Sequence, residues 1–166
     1  SREWTNQTLV SLDRRLGEAA GWRLNAVASY RTHGDRFLFN QTTPDLFNNL
    51  HRTHAVIGTV TAMRAGRTGR LTVGAEAGGD WIRSTNLGDH ELRRGSAFGE
   101  WRAVDTARLQ LDAALRMDRY TEFGAAWSPA VGVGYVMAPR LRVRASSGRA
   151  FRVPTFTERY YSDPNH

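Results

Sequence analysis

Apolar and polar residues alternate with a period of two along nearly the whole chain, and this constrains the fold more than any other feature. In "WRLNAVASY", Trp22, Leu24, Ala26, Ala28 and Tyr30 share one side of an extended chain, and Arg23, Asn25, Val27, Ser29 and Arg31 share the other. "WSPAVGVGY" repeats the pattern with Trp127, Pro129, Val131, Val133 and Tyr135. Further along, Leu71, Val73, Ala75, Ala77 and Trp81 oppose Arg70, Glu76 and Asp80, and Leu109, Leu111, Leu115 and Met117 oppose Asp112 and Arg116. The periodicity predicts eight strands, near 4–16, 22–32, 50–65, 70–83, 95–105, 108–119, 126–137 and 140–149.

The connections fall into two classes. "GEAAG", "GRTG", "VDTA" and "APR" are short, whereas "THGDRFLFNQTTPDLFNNL", "STNLGDHELRR", "YTEFGA" and the stretch after Gly148 are longer or less regular. Consecutive antiparallel strands place alternate connections at opposite ends, so one end receives the short turns and the other the loops. That asymmetry is the pattern of an antiparallel up-and-down transmembrane β-barrel. The spacing from Trp22 to Tyr30, and from Trp127 to Tyr135, corresponds to a height of about 21 Å for a tilted strand, close to the apolar band between the aromatic girdles of such a barrel. Trp22, Tyr30, Trp81, Trp127 and Tyr135 are therefore expected at the membrane interfaces, and Arg23, Arg31, Glu76, Asp112 and Arg116 in a hydrated lumen that also holds the arginine excess. The alternation suits a soluble antiparallel sandwich or a self-contained small barrel holding an apolar ligand as well. The repeated Trp and Tyr positions and the two loop classes favour the membrane.

Composition narrows the function classes. The chain has no cysteine, which excludes disulfide frameworks, thiol catalysis and cysteine zinc sites. Its formal net charge is +7, and all 23 basic residues are arginine. Without clustering on one surface this is no nucleic-acid footprint, so no nucleic-acid partner is expected. Mean hydropathy is −0.51, and no window approaches the roughly 20 apolar residues of a membrane helix. His51 and His54 in "HRTH" would face opposite sides of a strand, so they make no joint metal site. Asp35, Asp45, Asp89 and Asp163 lack the dense spacing of a calcium loop. No nucleophile, base and acid set stands out, so neither catalysis nor a cofactor or metal is expected.

The closing stretch, "LRVRASSGRAFRVPTFTERYYSDPNH", is neither a good helix nor a good strand beyond its start. Arg149 and Arg152 bracket Phe151, and there arginine can meet lipid phosphate or loop carboxylates while phenylalanine anchors at the interface. Pro154 ends the sheet by removing a ladder donor, and Thr155 with Glu158 has the spacing of a capping box. This run resembles the segment of TonB-dependent outer-membrane receptors in which a strand ends in Gly-Arg-Ala-Phe-Arg-x-Pro-Thr and leads into a loop bearing Glu, Tyr and Tyr: here Gly148, Arg149, Ala150, Phe151, Arg152, Pro154, Thr155, Glu158, Tyr160 and Tyr161, followed by the turn Ser162, Asp163, Pro164. "LTVGAEAGGDWIRSTNLGDH" and "LRMDRYTEFGAAWSPAVGVGYVMAPRLRVRAS" are similar to successive barrel strands of the same family, especially its cobalamin and siderophore branch.

The resemblance implies a wall segment, spanning 1–166, of a larger barrel of roughly 22 strands. It implies energy-dependent uptake of an iron siderophore or cobalamin across the outer membrane of a Gram-negative bacterium, with lipid and the TonB coupling complex as partners. The complex would act through a plug domain that is not visible in these residues. Ligand contacts would fall to loop residues, with Arg149, Phe151, Arg152, Tyr160 and Tyr161 as candidates. Eight strands taken from a larger barrel leave two edges, which are expected either to recruit strands from a second copy or to close on each other.

Overall fold

The computed structural model describes residues 1–38, 48–103 and 108–161. Eight strands follow one another as β1 (Arg2–Ala19), β2 (Trp22–Leu38), β3 (Asn48–Gly66), β4 (Gly69–Ser84), β5 (Gly88–Ala103), β6 (Leu109–Tyr120), β7 (Gly124–Ala138) and β8 (Leu141–Gly148), with a short helix α1 (Phe156–Tyr160) after them. Each strand pairs antiparallel with the next, in the order β1-β2-β3-β4-β5-β6-β7-β8. All eight expected strands are present. Most run longer than the alternation suggested: β1 to β5 have 16 to 19 residues.

The longer strands weaken the two-class division of connections. Ala20–Gly21, Arg67–Thr68 and Pro139–Arg140 are two-residue turns, but two connections at the opposite end use only three residues each, Thr85–Leu87 and Thr121–Phe123, where longer loops were expected. Hairpin pairing continues through "GDHELRR" because its residues face partners on β4 in unbroken register, from Gly88 opposite Ser84 to Ala103 opposite Gly69. The segments 39–47, 104–107 and 162–166, which contain Asp45, "VDTA" and the Ser162-Asp163-Pro164 turn, lie outside the described residues. Ala20 and Gly21 both have positive φ, 51° and 78°. That pair of angles matches the right-handed twist of the flanking strands.

Register fixes the faces, because directly paired residues share a side of the sheet. One row runs Asp13, Val27, Thr59, Glu76, Ser96, Asp118 and Ala126. The next row on the other face runs Leu12, Ala28, Gly58, Ala77, Gly95, Arg119 and Ala125. The first face curls inward. Arg116 on β6 reaches Glu76 on β4, two strands away, and Ser96 and Asp118 on that face are buried at 8% and 6% exposure. The second face carries exposed Val10, Leu12, Val56, Val60, Leu115, Trp127, Val131 and Tyr135. Among the described residues the strands form one sheet, with no second layer of the kind a soluble sandwich would pack against it. Among the described residues, β1 pairs only with β2 and β8 only with β7, so the sheet is open and the expected closure of β1 on β8 does not form.

Glycines on the inward face make room for large neighbours. Gly74 lies directly opposite Phe98, whose ring covers it; a Cβ at Gly74 would stand 2.4 Å from Phe98 Cζ and 2.8 Å from the Val60 carbonyl. The Gly74→Ala variant is expected to lose about 1–3 kcal/mol of stability through this overpacking. Urea unfolding of the detergent-folded protein would show the loss, and Phe98→Leu in the same chain should recover part of it.

Candidate functional site

An ion-pair network occupies the middle of the inward face. Arg116 donates through Nη2 to Glu76 Oε1 (2.9 Å) and through Nε to Asp118 Oδ1 (2.8 Å). It also donates to Ser96 Oγ (2.8 Å), and the Ser96 hydroxyl donates to Asp118 (2.6 Å). Arg94 Nη1 donates to Asp80 Oδ2 (2.9 Å), with its Nε 3.8 Å from Glu76. Two arginines and three carboxylates from β4, β5 and β6 thus satisfy one another on a face curled away from solvent. Such a set is stable only with its partners present, because a lone buried charge keeps its desolvation cost.

Above this network the segment after β8 folds back across the inward face. Phe151 sits 5.9 Å from the Tyr120 ring, and residues 151–157 close a cleft of about 500 Å³ against Arg31, Asp80, Ile82, Leu92 and Arg94. Phe151 therefore packs on the inward face instead of at a lipid interface. Thr155 caps α1: its Oγ1 accepts from the Glu158 amide (3.2 Å), and its own amide donates to Glu158 Oε2 (2.7 Å). Arg152 holds the same carboxylate with two parallel bonds, 2.9 and 2.8 Å. Two further contacts tie α1 to neighbouring strand ends. Tyr160 stacks on His90 at the start of β5, with centroids 3.4 Å apart and planes 2° from parallel. Arg159 pairs with Glu122 in the β6–β7 turn and lies 4.9 Å from the Phe123 ring.

The residues singled out from the sequence fall into place as follows. Arg23, Arg31, Glu76, Asp112 and Arg116 lie on the inward face, and Trp22, Tyr30, Trp81, Trp127 and Tyr135 lie on the opposite one. Only Glu76 and Arg116 of the first group join the network. Of the rim candidates, Phe151 and Arg152 line the cleft, Tyr160 is engaged with His90, and Tyr161 is 58% exposed. Arg149 bonds through its backbone amide to the Pro129 carbonyl, 2.9 Å. His51 and His54 point to opposite faces, toward Ser84 Oγ and the Tyr30 hydroxyl, each at 2.7 Å. Sequence reasoning missed Arg94, His90 and Tyr120, which it assigned to loops, and the Arg159–Glu122 pair, which joins residues 37 apart. Asp80 and Asp118 were legible on the charged face by alternation.

The Glu158 carboxyl is held at about 2, well below its usual 4.5, first by the Arg152 guanidinium and then by the Thr155 amide. A carboxylate with a depressed pKa contributes stability that is complete above its unfolded value and is lost as pH falls through the folded one. Protection factors for amide hydrogen exchange over residues 155–161, taken against the intrinsic exchange rate at each pH, should therefore hold at their full value at pH 5 and fall as pH approaches 2. In Glu158→Gln they should be low throughout, and wild-type protection factors flat across that window would refute the clamp. Removing Arg116 is the complementary test of the network: Arg116→Met should destabilise the fold by about 1–3 kcal/mol, because Asp118 stays buried with Ser96 alone.

The likenesses to solved structures agree with this architecture. The siderophore receptor PirA of Pseudomonas aeruginosa superposes with a TM-score of 0.78 at 18% identity, covering 92% of this chain and 28% of that one. PirA of Acinetobacter baumannii gives 0.72 at 16% identity over 92% and 26%. The ferric enterobactin receptor PfeA of Pseudomonas aeruginosa gives 0.74 at 18% identity over 92% and 26%. The chain thus spans little more than a quarter of the structures it resembles, and at these identities the likeness establishes the fold alone. No curated protein sequence matches it. The family model for TonB dependent receptor-like β-barrels matches residues 2–165, and with nearly its whole length matched the chain belongs to that family.

Proposed function

We propose that this chain is a wall segment of an outer-membrane receptor that imports a scarce iron chelate of the siderophore kind under energy coupling. The observation that carries the reading is the opposed polarity of its long strands. One face is apolar and marked by Trp22, Tyr30, Trp127 and Tyr135, and the other holds the Arg116 network. A transmembrane strand needs about 9–11 residues, so β1 to β5 stand well beyond the bilayer and their ends form the side of an outer vestibule. The two open edges support a larger barrel completed by other strands over a self-contained eight-stranded one, since a lipid-exposed sheet edge leaves backbone groups unpaired.

In this reading the lipid of a Gram-negative outer membrane surrounds the apolar face. A plug domain from the rest of the receptor fills the lumen and carries the contact to the TonB complex. The solved barrels that the fold resembles include siderophore receptors, which favours a ferric siderophore over cobalamin. Arg149, Phe151, Arg152, Tyr160 and Tyr161 stand at the vestibule rim, where an arriving ligand is met first.

Cells carrying the full-length receptor should take up a radiolabelled ferric siderophore only while the coupling complex is intact, with cobalamin uptake unchanged on deleting the receptor. Exchanging segments 33–49, 84–94 and 150–166 with those of a related receptor should transfer ligand preference. Coupling-independent uptake, or retention of the original preference after exchange, would defeat the proposal.

A further inference from the structure

Not all of the arginine excess lies in the lumen as expected: Arg52, opposite Gly34, and Arg119, opposite Gly95, face the apolar side. Of the arginines that line the inward cleft, Arg152 is already occupied by a residue of its own segment. Glu158 accepts both of its parallel bonds, 2.9 and 2.8 Å, and the Thr155 amide donates to the same carboxylate at 2.7 Å. Paired bonds from a planar guanidinium to two oxygens of one group are the way arginine recognises an oxyanion. The Glu158 carboxylate therefore sits where the anionic group of an incoming molecule would bind. The pair is open to water, with the Arg152 side chain 71% and the Glu158 side chain 47% exposed. Ion pairs so exposed contribute little, because water and salt screen them. Arg116 and Asp118 are held differently, with the carboxylate side chain only 9% exposed. An arriving anion can thus exchange with Glu158 far more readily than it could enter the network below.

The rest of the cleft suits an anion with an apolar or aromatic body. Arg31 opens onto it from β2 and has no hydrogen bond or ion pair among the described residues. Asp80, the carboxylate in the cleft wall, is already bonded to Arg94. Ile82, Leu92 and Phe151 supply apolar surface. Glu158 has a second task, since its carboxylate closes the capping box of α1. An anion that takes Arg152 leaves Glu158 with the Thr155 amide alone, and a helix of five residues has little else to hold it. Occupation of Arg152 and loosening of α1 are coupled through one carboxylate.

We propose that Glu158 is an internal competitor for the ligand: an anionic chelate binds Arg152 by displacing Glu158, and the displacement loosens α1. The inference rests on the siderophore-receptor reading above, and its test separates the two. The full-length receptor in detergent is titrated with two ferric probes, a tris-catecholate that carries net negative charge and a tris-hydroxamate that is neutral, and bound iron is measured by equilibrium dialysis. Glu158→Gln should bind the tris-catecholate about two- to fivefold more tightly, the factor by which an exposed ion pair competes. Its affinity for the tris-hydroxamate should stay unchanged. Arg152→Gln should bind the tris-catecholate at least about tenfold more weakly, and adding Glu158→Gln to it should recover nothing. In the wild type, the tris-catecholate should lower the amide protection factors of residues 155–161, where an ordinary ligand contact would raise them. Several results would each overturn the displacement: no tighter binding by Glu158→Gln, a gain that survives the loss of Arg152, an equal gain for the neutral probe, binding of the neutral probe alone, or raised protection over 155–161. If neither ferric probe binds any form of the receptor, the siderophore reading fails and the displacement with it.

Discussion

Satisfaction of the backbone is the constraint on which the rest of the structure depends. A chain whose outward residues are valine, leucine, alanine and tryptophan has no second layer to cover them, so its amide and carbonyl groups must be paired within the sheet itself. The ladder from β1 to β8 does this for every internal strand. It also fixes the faces, because an unbroken antiparallel register carries the alternation of one strand to the next. A slip of one residue anywhere would put the strand's charged residues on the apolar face and its apolar residues on the charged one.

With the faces fixed, charged side chains of neighbouring strands are brought together on the inward face. Glu76, Arg94, Arg116 and Asp118 come from three strands, and their mutual bonds hold those strands at one curvature. The return segment uses similar chemistry at the rim. Arg152, Thr155 and Glu158 make a five-residue helix persist that would be too short to survive alone. His90 and Glu122 then anchor it to the ends of two hairpins. The rim candidates are thus partly committed to structure: Arg152 and Tyr160 shape the cleft, while Arg149 and Tyr161 remain open to solvent.

The strand count, the two faces and the capping box could all be read along the chain, because each depends on spacings of two or three residues that the local backbone converts directly into direction. The "GRAFRVPT" run pointed to the family for a different reason, as a word of specific length. Strand ends were less legible: "GDHELRR" reads as a polar loop, and it becomes a strand because β4 offers it paired partners. The tertiary structure alone decided that Arg116 would reach Glu76 across an intervening strand, that Arg159 would find Glu122, and that Phe151 would turn inward. Each of these depends on inter-strand stagger and sheet curvature, which set distances between residues dozens of positions apart and leave no periodic trace in the sequence.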